Sequence, residues 1–251
     1  MAERVLFVPS WIVSPQGCET IPASRYALNQ FRQHFEVDVF TWPLMKAGPK
    51  APPTWEGAVS ALREAFEPGC HLVTMETATP ATLMALNGYD EDSPVRSWSN
   101  VGIAFSPATL RSLNMAALAS AAEAGSLFAG SYQFVRHTMQ GAGEAEWRRF
   151  SELLDEDIDW NYVADFRRSY DNLDLIREQP HVTRPTLYLD KPASRSTFGA
   201  AVRREVFQGF APGCEVRDLR AEFGNQLQDG STGRDLSQPS IEFIQRVASA
   251  V

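Results

Sequence analysis

A short apolar segment that leads directly into a helix constrains the fold of this chain more than any other stretch. Residues 72–75 form the apolar run, and Leu83 and Leu86 follow it at helical spacing. Pro80 falls in the first turn of the predicted helix, where its missing N–H costs no hydrogen bond. Only a sharp corner fits between the strand and the helix, and Glu76 occupies it. This order of elements is typical of an α/β protein with parallel strands.

Five further segments have the composition of strands, and helical patterns separate them. They are residues 5–8, 37–40, 101–105, 185–189 and 215–219. Short continuous apolar runs are typical of strands that are buried on both faces of a parallel sheet, whereas the alternation at 215–219 predicts an edge strand. The predicted fold class is therefore α/β, with a six-stranded, mostly parallel, doubly wound sheet. Ligands are expected at the carboxyl ends of its strands.

Residues 108–180 differ from the rest of the chain, because they hold helical patterns and no convincing strand. Apolar residues such as Trp147 and Phe150 recur there at helical spacing. We therefore predict a core made of residues 1–107 and 181–251. The helical insertion between them is predicted to form a lid over the carboxyl ends of the sheet.

The charge balance and the cysteine pattern argue against several kinds of partner. The 251-residue chain has a formal net charge of −8 and no basic run, which argues against nucleic acid and anionic membranes. No apolar run is long enough for a membrane span or a signal peptide. Cys18, Cys70 and Cys214 are widely spaced, which indicates a reducing compartment and gives no zinc signature. We predict a cytoplasmic protein that uses no metal and no other cofactor, and leave a homodimer open.

Five windows of the sequence resemble the α/β-hydrolase superfamily, in a trimmed form that begins at the family's third strand. They are residues 5–11, 35–43, 71–86, 104–107 and 184–195, and the resemblance extends over nearly the full length. It implies an α/β-hydrolase fold with the nucleophile elbow at Glu76, the strained turn that lifts a side chain above the sheet. The elbow and residues 104–107 also resemble acyltransferases that assemble 3-hydroxy-fatty-acid dimers.

Each active-site position that the resemblance carries over departs from the family pattern. Glu76 stands where the nucleophilic serine is expected. Ser194, with Arg195 beside it, stands where the acid is expected, and Asn225 stands where the histidine is expected. None of the four histidines follows the last predicted strand. The Ser-His-Asp triad of this family therefore cannot be assembled, and an ordinary serine hydrolase mechanism is not supported.

Glu76 can serve as a general acid or a general base, and its burial decides which. A helix N-terminus favours the carboxylate by roughly 0.3–1 kcal/mol, whereas complete burial can raise the pKa of a carboxyl group by about 3–5. Arg195, if its side chain turns inward, would keep Glu76 ionised. The backbone N–H groups of Trp11 and Thr77 are expected to act as oxyanion donors in the same space. These groups suit cyclisation, elimination, isomerisation or epoxide opening of an apolar carbonyl compound.

Three hypotheses for the function follow. The first is a non-hydrolytic, cofactor-independent enzyme of small-molecule metabolism, such as polyketide or other natural-product assembly, with Glu76 as its acid or base. The second is an inert relative that binds a ligand or a partner protein, in which Glu76 forms a structural ion pair or helix cap. The third is a hydrolase or acyltransferase with a relocated nucleophile, for which Ser10, Ser106 and Ser194 are weak candidates. His137, in the predicted lid, could reach the pocket, although a lone histidine is more often a packing residue.

Overall fold

The computed structural model contains a parallel β-sheet with helices on both of its faces. It describes residues 3–11, 13–89, 92–101, 120–126, 128–129, 144–170, 178–190, 200–219 and 230–250. The strands are β1 (Arg4–Val8), β2 (Glu36–Val39), β3 (Cys70–Met75), β4 (Val95–Val101), β5 (Thr186–Asp190) and β6 (Glu215–Asp218). Their order across the six-stranded sheet is β2-β1-β3-β4-β5-β6, and every neighbouring pair is parallel. The predicted fold class is confirmed, with β6 at an edge.

The helices form a layer on each face of this sheet. They are α1 (Pro15–Thr20), α2 (Pro22–Arg32), α3 (Trp55–Glu64), α4 (Thr79–Leu86), α5 (Glu144–Asp157), α6 (Trp160–Tyr170), α7 (Ala200–Phe210) and α8 (Gly230–Ser249). Phe31 of α2 and Ile244 of α8 belong to the hydrophobic core on one face. Leu62 of α3, Leu83 of α4 and Phe207 of α7 belong to the core on the other face. None of the described helices is long and apolar enough to cross a membrane.

Local sequence signals explain where several helices begin and end. The Thr54 hydroxyl accepts a hydrogen bond from the Gly57 N–H at 3.1 Å, so Thr54 caps α3. Helix α4 ends before Gly88, whose φ of +83° suits a residue without a side chain. Helix α2 begins at Pro22, since proline is well tolerated in the first turn of a helix.

The position of β4 differs from the sequence prediction. We expected a strand over residues 101–105, whereas β4 spans Val95–Val101 and residues 102–105 lie outside the described ones. Ser97, Ser99 and Asn100 interrupt the apolar pattern of this strand, although all three are completely buried. Each of them is hydrogen-bonded to another buried side chain, which offsets part of the cost of burying a polar group, although Asn100 Nδ2 has no partner among the described residues.

The corner between α5 and α6 is fastened to the core by backbone hydrogen bonds. Lys46 N–H donates to the Asp157 carbonyl at 2.8 Å, and Asp159 N–H donates to the Leu44 carbonyl at 2.9 Å. The Ser14 hydroxyl, which caps α1, also donates to the Asp157 carboxylate. Residues 108–119, 127, 130–143 and 171–177 of the predicted lid lie outside the described part, so the lid itself stays a prediction.

Candidate functional site

The corner after β3 lies at the middle of the carboxyl edge of the sheet. β3 pairs with β1 on one side and β4 on the other. Glu76 begins a 3₁₀ turn, Glu76–Ala78, that follows β3 directly, and α4 starts at Thr79. The strand, corner and helix occur in the order that the sequence predicts. The backbone of Glu76 is thus at the edge where parallel α/β sheets bind their ligands, while its side chain lies outside the described part.

Two hydrogen bonds join this corner to the loop that follows β1. The Ser10 hydroxyl donates to the Met75 carbonyl at 3.4 Å, and the Trp11 backbone N–H donates to the Thr77 hydroxyl at 3.2 Å. The loop and the corner are neighbours because β1 and β3 run in parallel register, with Val8 opposite Thr74. The Trp11 N–H, which we expected to face a ligand directly, therefore meets the side chain of Thr77 first.

A buried polar network supports the corner from below. Asn100 Oδ1 accepts hydrogen bonds from the hydroxyls of Thr74 at 2.7 Å and Thr79 at 2.9 Å. Trp98 Nε1 donates in turn to the Thr74 hydroxyl at 2.8 Å. All four side chains are completely buried. Asn100 Nδ2 has no hydrogen-bond partner among the described residues, yet the three bonds through Asn100 Oδ1 and Thr74 connect the end of β3 and the start of α4 to β4.

Aromatic side chains cover the loop beside the corner. The Trp11 ring packs perpendicular to Phe166 of α6, with 5.3 Å between their centroids, and lies 5.8 Å from Trp55 of α3. Trp42 lies 6.4 Å from Trp11, and its Nε1 donates to the Pro9 carbonyl at 2.7 Å. The indole rings and Phe166 are all buried. The conformation of Trp11 is therefore set by apolar packing as well as by its hydrogen bond to the corner.

The other predicted site residues fall in segments that the structure does not describe. Ser194, Arg195, Asn225 and His137 all lie outside the described residues. Among the residues that are described, no group of histidine, cysteine, aspartate and glutamate side chains is arranged to hold a metal ion.

Asp190, the last residue of β5, is a buried carboxylate. The sequence resemblance places Ser194, and not Asp190, where the acid of the family is expected. The Asp190 side chain is 2 % exposed, and Arg204 Nε donates to Oδ2 at 2.9 Å. Arg204 also pairs with the exposed Asp218. The hydrogen bond from Arg204 to Asp190 is the main cause that raises the pKa of Arg204. This geometry is that of a structural ion pair between α7 and the ends of β5 and β6.

A serine, a histidine and a glutamate form a hydrogen-bonded chain near the opposite, amino edge of the sheet. His71 Nδ1 lies 2.7 Å from Ser97 Oγ, and His71 Nε2 lies 3.3 Å from the carboxylate of Glu3. Glu3 also pairs with Arg96 at 3.1 Å. Serine, histidine and acid in this order suit nucleophilic catalysis. However, Ser97 and His71 are completely buried within their strands, so the chain is a structural one.

A cavity of about 400 Å³ lies beside β1 and β2, on the α3 side of the sheet. Its lining includes Arg4, Asp38, Phe40, Glu64 and Cys70. None of the residues that join the corner to the loop after β1 lines this cavity. The cavity is therefore separate from the corner and is not the site that the strand ends form.

Solved structures resemble the chain over almost its full length. No protein-family model matches the chain, and no curated protein matches it. A hydrolase from Oleispira antarctica is 12% identical, with 98% of this chain and 92% of that chain covered and a TM-score of 0.71. An esterase from Exiguobacterium antarcticum is 11% identical, with coverages of 98% and 93% and a TM-score of 0.72. A bromoperoxidase from Bacillus anthracis is 10% identical, with coverages of 98% and 92% and a TM-score of 0.71. Together with the order of its strands, these matches show that the chain has the α/β-hydrolase fold.

Proposed function

We propose that the protein is a cofactor-independent, non-hydrolytic enzyme that moves a proton on an apolar carbonyl compound. Glu76 is the general acid or base in this proposal. The reaction classes that fit are cyclisation, elimination, isomerisation and epoxide opening, as in the tailoring steps of polyketide or other natural-product assembly. In broader terms, the protein is an α/β-hydrolase-like enzyme.

The position of Glu76 carries the proposal. This residue opens the turn between β3 and α4, which is where the fold presents its reactive side chain above the sheet. A carboxyl group in place of a serine introduces a titratable group at that point and removes the hydroxyl nucleophile. A strand end in the interior of a parallel sheet is also the default place for a ligand.

The surroundings of the corner support an apolar carbonyl substrate. Trp11, Trp55 and Phe166 pack around the adjacent loop, so the corner borders an apolar part of the core. The three cysteines of the chain are free and buried, which supports a reducing, cytoplasmic setting.

The structural relatives show how widely the chemistry of this fold varies. They include an enol-lactonase from Burkholderia xenovorans LB400, 15% identical with a TM-score of 0.65, besides the hydrolase, the esterase and the bromoperoxidase. Since one fold hosts many reactions, the reaction of this chain has to be argued from Glu76 and its neighbours.

The proposed proton transfer needs only groups that this chain supplies. The Glu76 carboxylate removes a proton from the carbon beside the substrate carbonyl, and the electron pair of that C–H bond moves onto the carbonyl oxygen. Hydrogen-bond donors at the corner stabilise the enolate oxygen. The protonated Glu76 then returns the proton to another atom of the substrate, or to a leaving oxygen, which restores the carboxylate.

A one-proton elimination tests this role of Glu76. The probe is 5-nitro-1,2-benzisoxazole, whose ring opens to a coloured phenolate when a base removes its proton. The wild type should accelerate this reaction with saturation, and Glu76→Gln should lower the rate by about 100-fold or more, since the amide cannot accept the proton. Glu64→Gln, at the exposed Glu64 of α3, is the matched control and should keep the wild-type rate.

An undiminished rate in Glu76→Gln would refute the proposed role. Saturable binding of the probe without turnover in the wild type would instead favour the inert, ligand-binding relative.

A further inference from the structure

The hydroxyl of Thr77, at the corner, accepts a hydrogen bond but donates none within the described part of the chain. It accepts the hydrogen bond from the Trp11 N–H at 3.2 Å, and no residue of the described part accepts the hydrogen of its own O–H. A hydroxyl group offers one donor and two acceptor positions, so accepting from Trp11 leaves the donor available. Thr77 is only partly buried. Its O–H can therefore reach a molecule that lies against the corner.

The bond from Trp11 also orients and strengthens this donor. When a hydroxyl accepts a hydrogen bond, its own O–H becomes more polarised, because hydrogen bonds in a chain reinforce one another. Trp11 is 3 % exposed and is packed against Phe166 and Trp55, so its N–H is held in place. Threonine is branched at Cβ and has few side-chain rotamers. The hydroxyl is thus preorganised, which is what an oxyanion donor requires.

The hydrogen bond from Trp11 to Thr77 also disfavours direct contact between a ligand and the Trp11 N–H. A ligand oxygen that took this hydrogen bond would have to occupy the position of Thr77 Oγ1 and displace it. If the ligand oxygen accepts its hydrogen bond from the Thr77 hydroxyl instead, the bond from Trp11 to Thr77 stays in place and the corner does not have to rearrange.

We propose that the Thr77 hydroxyl is the side-chain donor that this site presents to a ligand, and that the ligand group it binds is the carbonyl oxygen of an apolar molecule. Trp11 then acts as a positioning residue, through its N–H, and does not touch the ligand oxygen itself. This inference rests on the proposed function for the location of the site, since Thr77 follows Glu76 directly. It adds the residue that recognises the carbonyl group.

Acetophenone labelled with ¹³C at its carbonyl carbon is a suitable probe. It is neutral and apolar, and isotope-edited infrared spectroscopy measures how strongly its bound carbonyl is hydrogen-bonded. The variants are Thr77→Val, which removes the hydroxyl at nearly the same volume, and Thr77→Ser, which keeps it. Circular dichroism and thermal denaturation of both variants confirm that they are folded before binding is compared.

The wild type should bind acetophenone with saturation and shift its carbonyl band to lower wavenumber. Thr77→Val should weaken binding by about 3- to 10-fold, the usual worth of one neutral hydrogen bond, and return the band towards its position in an apolar solvent. Thr77→Ser should stay close to the wild type in both measurements.

Three results would overturn the inference. The first is tighter binding of acetophenone by Thr77→Val, which would mean that the hydroxyl obstructs the site. The second is a carbonyl band that is unchanged in that variant. The third is the absence of saturable binding by the wild type.

Glu76→Gln separates this inference from the proposed function. If it keeps the elimination rate while Thr77→Val still moves the carbonyl band, the role of Glu76 fails and the role of Thr77 stands.

Discussion

His71 Nδ1 lies 2.7 Å from Ser97 Oγ in the interior of the protein, and the burial of His71 makes the stability of the fold depend on pH. Burial lowers the pKa of His71, since loss of hydration outweighs the attraction of Glu3. Below about pH 6.5 the unfolded chain therefore binds a proton more readily than the folded protein does. The contribution of His71 to stability is complete above that pH and is lost as the pH falls through the lowered pKa.

The thermal midpoint of the wild type should consequently fall between about pH 7.5 and pH 5.5. His71→Asn removes the titration and should flatten this dependence, although its midpoint is lower throughout. His34→Asn, at an exposed histidine, is the matched control and should keep the wild-type slope. Equal slopes for the wild type and His71→Asn would contradict the assignment.

The ion pair between Arg204 and Asp190 should stabilise the end of β5. Arg204→Met keeps the apolar stem and removes the guanidinium group that donates to a carboxylate only 2 % exposed. We expect urea denaturation to show a loss of about 2–3 kcal/mol, below the usual range for breaking a buried pair because Arg204 is partly exposed.

Arg217→Met is the control for this prediction. Its partners Glu215 and Glu242 are 33 % and 52 % exposed, so its loss should cost at most about 1 kcal/mol. A loss for Arg204→Met no larger than that for Arg217→Met would show that burial of Asp190 does not matter.

The corner at Glu76 could be predicted from the sequence because its signals are local. An apolar run, one polar residue and a proline in the first helical turn are sufficient to place β3 and α4. The cap at Thr54 is local in the same way, since its partner is three residues away.

The misplaced strand and the missed contacts depend on residues that are distant in sequence. The polar residues of β4 form a pattern that is typical of a loop. The hydrogen-bond partners that allow their burial come from β3 and α8, and the local sequence does not indicate them. Asp157 stands in a run of three acidic residues, which is typical of a solvated face, yet it accepts a hydrogen bond from Ser14, 143 positions earlier. The contact between Trp11 and Thr77 likewise needs the parallel pairing of β1 with β3. Hydropathy and spacing contain none of these pairings.

Asn100 should contribute more to stability than its neighbour Ser99, although both are completely buried. Asn100→Ala removes the acceptor of two buried hydroxyls, those of Thr74 and Thr79, and should cost about 2–4 kcal/mol. Ser99→Ala removes a single contact, with Ser240 at 2.6 Å, and should cost about 1 kcal/mol. Urea denaturation of the two variants measures the difference. Equal losses would mean that the network does not act as a unit.

Phe166 should hold Trp11 in place beside the corner. Phe166→Ala removes a ring that is 3 % exposed and should cost about 3–4 kcal/mol through loss of apolar burial and the remaining cavity. It also uncovers Trp11 and Trp55, so the tryptophan emission of the folded variant should shift to longer wavelength. Phe35→Ala is the control, because Phe35 packs in the core of the opposite face. It should destabilise the protein without that shift.

The effect of Phe166→Ala on ligand binding follows from the same contact. Since the Trp11 N–H meets the Thr77 hydroxyl, greater freedom of Trp11 should weaken the hydrogen bond that Thr77 donates to acetophenone. The bound carbonyl band should broaden and move part of the way towards its position in Thr77→Val. An emission shift with an unchanged carbonyl band would show that Thr77 is oriented without Trp11, and Trp11 would lose its positioning role.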